Sequence, residues 1–170
     1  MSGARGAAVR SGRAWVMADD NINTDLIMPS ETFKKPVSEQ VRLVFRDYRP
    51  GWAEEVGEGD ILLAGRNFGT GSSRPAPQLL RLLGVGAVVA ESFNGLFYRN
   101  CINYGLLALE CPGAPAAAAE GDRVEVDAEA GTLRAAASGA VFQGTATPPL
   151  LMEIIRSGGL LERLRSEGYV

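Results

Sequence analysis

The sequence predicts an α/β domain of three layers built on a mixed sheet. Three observations carry that prediction. Short apolar runs at residues 61–64, 87–90 and 106–109 alternate with segments of helical spacing at 75–83 and 93–104, the pattern of βαβ units. After Cys111 the chain changes to alternating polar and apolar residues, as antiparallel strands require. The chain has 170 residues, 46% of them hydrophobic, which suffices for one domain with a substantial core.

Each element has a local reason. Residues 14–18 are short and apolar and read as the first strand. Residues 19–30 are rich in Asp and Asn, whose side chains hydrogen-bond nearby backbone and favour turns. Residues 37–45 read as a short helix, broken by Tyr48-Arg-Pro-Gly51. Residues 60–64 form a buried strand, and 75–83 a helix with Leu79, Leu80, Leu82 and Leu83 inward, stopped at Gly84. Residues 87–90 are a second buried strand. Helix 93–104 turns Phe93, Leu96, Phe97 and Ile102 inward, and strand 106–109 follows. Residues 111–120 are rich in Pro and Ala. Strands at 123–126 and 132–136 flank a hairpin turn at 128–131. Residues 141–146 read as a further strand, and the chain from Pro148 is helical, with a break at Gly158-Gly159. There is no internal repeat.

Composition narrows the function. A net charge of −3 and a pI near 5.1 leave no basic footprint for nucleic acid. No apolar run approaches the roughly 18 residues needed to span a membrane. Residues 1–13 carry three Arg, no acid and many small residues, and are expected to be a flexible tail, leaving 14–170 as a single domain. Cys101 and Cys111 stand outside any CxxC pair, and two thiolates cannot supply an iron–sulfur cluster. Cys101 reads as a packed small hydrophobe. Histidine is absent, which excludes Ser-His-Asp and Cys-His catalysis and any histidine-based metal site within this chain. Asp19, Asn21 and Asn23 fall at alternate positions, as in a calcium loop. Thr24 stands where that loop needs Gly, and Ser30 where it needs Glu, so an EF-hand is excluded.

The segment Gly65-Arg-Asn-Phe-Gly-Thr-Gly-Ser-Ser-Arg74 joins a strand to a helix. Gly69 and Gly71 let backbone approach a ligand. Ser72 and Ser73 offer hydroxyls, and Arg74 offers a planar fork suited to a carboxylate or phosphate. Pro75 suits the first helical position. Backbone N–H groups at such a helix start favour an anion, so the segment is expected to receive a small acid. A plain helix start with a solvated Arg74 is the competing reading. A Walker loop fails for want of Lys, a dinucleotide fingerprint fails because Arg74 stands at the third glycine, and a nucleophile elbow fails for want of His.

The same segment resembles the serine-serine-arginine loop of the swivelling domain in the aconitase superfamily. The stand-alone form of that domain is the small subunit of 3-isopropylmalate dehydratases and related hydro-lyases. Asp20-Asn-Ile-Asn-Thr-Asp-Leu-Ile-Met-Pro29 resembles the family's opening turn, and Glu91-Ser-Phe-Asn-Gly-Leu-Phe-Tyr-Arg-Asn-Cys-Ile-Asn-Tyr-Gly-Leu-Leu107 its later helix and following strand. The three segments stand in the family's order.

The resemblance implies a three-layer swivelling β/β/α domain over residues 14–170. It implies a cytoplasmic hydro-lyase subunit, active only with a large subunit that holds a [4Fe–4S] cluster, and a small hydroxy di- or tricarboxylic acid as substrate. No nucleic acid or membrane takes part. It makes Ser72 the catalytic base, acting as an alkoxide held by backbone N–H groups and Arg74. Arg74 also binds a substrate carboxylate, and Asp25 orients or pairs a catalytic group. Ser73, Thr24, Gly71 and Thr70 are implied substrate contacts. The loop 30–36 resembles the place where the family tells substrates apart, with Lys34 placed to meet a second carboxylate; a solvated surface lysine is the alternative. The chain departs from the family at Thr70, at Pro75-Ala76 and over residues 30–36. The leading expectation is isopropylmalate isomerisation. A homocitrate-, citrate- or dimethylmalate-like substrate, or a non-catalytic carboxylate-binding module, are the alternatives.

Overall fold

The computed structural model describes residues 7–170. Seven strands form one mixed sheet: β1 (Val9–Met17), β2 (Ile61–Ala64), β3 (Ala87–Ala90), β4 (Leu107–Glu110), β5 (Arg123–Asp127), β6 (Thr132–Ala135) and β7 (Val141–Gln143). Their order across the sheet is β4-β3-β2-β1-β5-β6-β7. β1 to β4 run parallel, and β5 to β7 continue the sheet antiparallel. β1 serves both halves: residues 9–13 pair with β5, and residues 14–17 pair with β2.

The helices are α1 (Thr24–Ile27), α2 (Val37–Gln40), α3 (Trp52–Glu55), α4 (Ala76–Leu82), α5 (Gly95–Asn103), α6 (Pro149–Arg156) and α7 (Leu160–Ser166). They cover both faces of the parallel half, which is why its strands are apolar at every position. Leu62, Ala64, Val88 and Ala90 join Phe68, Leu79, Leu80 and Phe97 in the core on one face. Ile61, Leu63, Val89 and Leu109 join Val124, Leu133, Met152 and Ile155 on the other.

Four expectations change. The first strand begins at Val9 rather than Ala14, so only residues 1–6 of the expected tail lie outside the described residues. The pattern hid this stretch because its inward residues are Arg10 and Gly12. Arg10 is buried, donates to the Gly86 carbonyl, and has its pKa pushed down to about 10 by burial and by Arg81. Gly12 leaves room for the backbone of Gly59; a Cβ there would lie 2.0 Å from its carbonyl oxygen. The helix expected at 37–45 is a short α turn followed by a 3₁₀ turn, and the chain leaves helical geometry at Val44, ahead of a left-handed Phe45. Leu82 and Leu96, expected inside, are 54% and 41% exposed. α4 and α5 are short and bury narrow stripes, Leu79 and Leu80 in one and Phe97, Cys101 and Ile102 in the other. Finally, helix α4 begins at Ala76, with Pro75 in the capping position.

Candidate active site

The loop after β2 is held from three sides. The Gly69 N–H donates to the Ile22 carbonyl and the Thr24 N–H to the Thr70 carbonyl, both at 2.8 Å, which lashes the loop to the Asx-rich turn before α1. The Thr24 hydroxyl donates to the backbone oxygen of Ser72 at 2.9 Å. Phe68 bridges in parallel to Phe93 at the entry to α5. Gly69 must be glycine: its φ is +81°, and an added Cβ would lie 2.0 Å from the Phe97 ring. The α1 start is formed locally by Asn23, whose side chain accepts the Leu26 N–H. Asn94 caps α5 in the same way, accepting from Leu96 and Phe97.

These lashings set Thr24, Gly71, Ser72, Ser73, Arg74, Asn94 and Asn100 around one shallow depression. Nε of Arg74 donates to Ser72 Oγ at 3.0 Å, Nη1 donates to the Met28 carbonyl at 3.0 Å, and Nη2 ion-pairs with Asp25. Only 10% of the Arg74 side chain is exposed, whereas 63% of Asp25 is. The guanidinium is thus a fixed part of the site, with one face against the Phe33 ring, 4.9 Å from its centroid. Among the described residues, the backbone N–H groups of Gly71, Ser72, Ser73 and Arg74 find no acceptor. Asn100 donates to Ser73 Oγ at 3.3 Å.

Of the sequence-predicted residues, Ser72, Arg74, Asp25, Ser73, Thr24 and Gly71 come together, and Thr70 joins through its backbone. Lys34 does not: it is exposed at the end of a 3₁₀ turn (Ser30–Lys34), and from that turn Phe33 reaches Arg74. Sequence reasoning missed Phe33, Met28 and Asn100. Asn100 lies one helical turn before Tyr104 on a polar face; Met28 acts through its carbonyl, which no side-chain pattern reveals.

The depression measures ≈ 170 Å³ with open solvent included, too shallow to enclose a hydroxy acid by itself. Its donors suit a carboxylate and an oxyanion. The two thiols do not fit an iron–sulfur cluster. Cys101 and Cys111 are buried in different cores on opposite faces of the sheet, and burial pushes both thiols up, away from the thiolate a metal needs. Among the described residues no group of three or more Cys, Asp or Glu side chains has the arrangement of a metal site. No helix there is long and apolar enough to cross a membrane.

Known proteins resemble this chain along most of its length. The model of the aconitase C-terminal domain matches residues 19–114, which include every residue named above as lining the depression. The isopropylmalate/citramalate isomerase small subunit of Methanocaldococcus jannaschii is 39% identical over 163 residues, 94% of this chain and 96% of that protein. A 3-isopropylmalate dehydratase small subunit of Methanopyrus kandleri is 41% identical over 92% of this chain and 93% of its own length. The crystal structure of 3-isopropylmalate dehydratase from Methanocaldococcus jannaschii superposes with a TM-score of 0.85 at 30% identity, covering 94% of this chain and 95% of that one.

Proposed function

The chain belongs to the aconitase C-terminal domain family, and from that premise we propose that it is the small subunit of a two-chain hydro-lyase that isomerises a 2-alkylmalate, 3-isopropylmalate foremost, in leucine biosynthesis. The dehydratase and isomerase small subunits to which it is similar along nearly their whole length support the reaction class and a large-subunit partner. The observation that carries the catalytic assignment is the Arg74 Nε–H on Ser72 Oγ, with the same guanidinium anchored by Asp25 and Met28.

A serine hydroxyl is far too weak an acid to ionise unaided near neutrality. Here the fixed Arg74 guanidinium donates to its oxygen, which favours the alkoxide. Ser72 takes the proton from the carbon beside a substrate carboxylate. Arg74 holds the charge of Ser72 before the transfer and turns its remaining N–H groups to that carboxylate. The hydroxyl on the neighbouring carbon leaves as water, protonated from the large-subunit side, which forms the double bond; readdition of water with the hydroxyl on the other carbon gives the isomer. Thr24, Thr70, Gly71 and Ser73 shape the wall against which the acid lies. Phe33 presents an apolar ring where a second cation would favour a third carboxylate, so an alkyl group is the better match. A citramalate-like acid is the second reading, because one relative is named for both substrates.

The [4Fe–4S] cluster of the reaction is assigned to the large subunit, since this chain lacks the donors for it. The chain from β1 onward acts as a swivelling lid in a cytoplasmic assembly: its depression is closed only when the partner covers it, which excludes water and aligns base with proton.

The test is Ser72→Ala assembled with the large subunit. Assembly is expected to persist while turnover of 3-isopropylmalate falls by about 10²–10⁴-fold. Normal turnover removes Ser72 as the base. Tight binding of 3-isopropylmalate by the isolated chain would instead favour a carboxylate-binding module.

A further inference from the structure

The edge of the parallel sheet that carries the serine loop carries a second feature. The serine loop follows β2, Phe93 follows β3, and Glu110 ends β4, so all three lie at the C-terminal ends of adjacent strands. Across the first turn of α5 from the depression, a cleft of ≈ 380 Å³ opens between α5 and α6. Asn94 and Leu96 line the depression; Phe93, Gly95 and Tyr98 line the cleft. Pro148 and Leu151 close it from the α6 side. Its walls are aromatic and aliphatic, and Glu110 is its one charged residue.

Glu110 is the one acid that lines this cleft, and it lacks the partner that several acids of the chain have. Glu91, Glu120, Glu125, Glu129 and Asp60 each pair with an arginine. The Glu110 carboxylate makes no hydrogen bond or ion pair among the described residues, and its charge helps burial to push up the Tyr98 phenol. A carboxylate beside aromatic faces complements a cation on a carbon stem, whose stem covers the rings while its head meets the acid.

We infer that this cleft seats an arginine or lysine side chain of the large subunit when the lid closes. This rests on the two-chain reading above. The occupant follows from position and exposure. The cleft and the depression flank α5 at the same C-terminal edge of the parallel strands, the edge on which a partner must cover the depression. Glu110 is exposed, so a free cation there would compete with water for a hydrated carboxylate. A side chain delivered on a docking surface brings its own desolvation and loses no further translational freedom.

The experiment measures the dissociation constant of this chain for its large subunit, together with kcat at saturating large subunit. Glu110→Gln is expected to weaken assembly by about tenfold and Glu110→Lys by more, with kcat unchanged once assembled. Glu54→Lys makes the same charge change on α3 and is expected to leave assembly unaltered. The wild-type constant should also weaken with salt more steeply than that of Glu110→Gln. An unaltered constant for Glu110→Lys, or equal weakening by Glu54→Lys, overturns the inference. So does binding of n-butylguanidinium to the isolated chain at Glu110 with normal assembly of Glu110→Lys, which reassigns the cleft to a free cation. Failure of the wild-type chain to bind a large subunit overturns the hydro-lyase reading and this inference together. Normal assembly of Glu110→Lys overturns this inference alone.

Discussion

Nε of Arg74 donates to Oγ of Ser72 at 3.0 Å, while Nη2 of the same guanidinium ion-pairs with Asp25. A lysine keeps the charge but is a point donor, and cannot hold Ser72, Met28 and Asp25 at once. Arg74→Lys is therefore expected to lower kcat by about 10²-fold as well as raise KM. Steady-state kinetics decide: a raised KM with unchanged kcat would confine Arg74 to binding the carboxylate.

Asp25→Asn keeps the shape and removes the charge that fixes Arg74. Because Asp25 is largely exposed, stability should change by less than about 1 kcal/mol. Turnover should fall by roughly tenfold, since the guanidinium loses the anchor that aims it at Ser72. Full kcat in Asp25→Asn, with the melting temperature unchanged, would reduce the pair to a surface contact.

Gly69→Ala sets a methyl group on the Phe97 ring at a backbone angle that side chains avoid. It should destabilise the chain by about 2–4 kcal/mol. Phe97→Ala alone should cost about 3 kcal/mol through the cavity it leaves. The double variant should lose less than the sum, because each change relieves the other. Additive losses in denaturant melts would show that the loop avoids the ring by another route.

Asp60 accepts from Trp15 Nε1 at 2.7 Å, from Arg13 at 2.8 Å and from the Gly57 N–H at 2.8 Å. Burial by itself raises this carboxyl, but the hydrogen bonds from Arg13, Trp15 and Gly57 outweigh it and hold the pKa below the usual range. A depressed folded pKa means stability that is present above the ordinary carboxylate pKa of about 4 and is lost as pH falls through the folded value. Asp60→Asn should cost about 2 kcal/mol at neutral pH and flatten the acid limb of the stability curve. The same acid slope in the variant would assign that limb to other groups.

The parallel half of the fold was legible because its strands are short, apolar and separated by helices, and the serine loop because its glycines and hydroxyls stand at a strand-to-helix junction. The first five residues of β1 were not legible. Arg10 and Gly12 occupy its inward positions for reasons that lie in Gly86 and Gly59, far along the chain. In the site, the residues of the serine loop and of the turn before α1 were found, whereas the Met28 carbonyl, the Phe33 ring and the Asn100 amide, which reach the loop from elsewhere in the chain, were not. Lys34 drew notice as a charge; the residue that reaches Arg74 is its neighbour Phe33.

The division of β1 between two partners bears on how the chain is made. Its second half finds β2 after some fifty residues, but its first half has to wait for β5, more than one hundred residues later. During synthesis the parallel half can assemble while residues 9–13 remain an open edge, a hazard for pairing between nascent chains. The wait also raises contact order, so closure of the antiparallel half should be the slow phase of refolding. Arg10, charged and directed inward on that waiting edge, discourages wrong pairings until the β5 segment arrives.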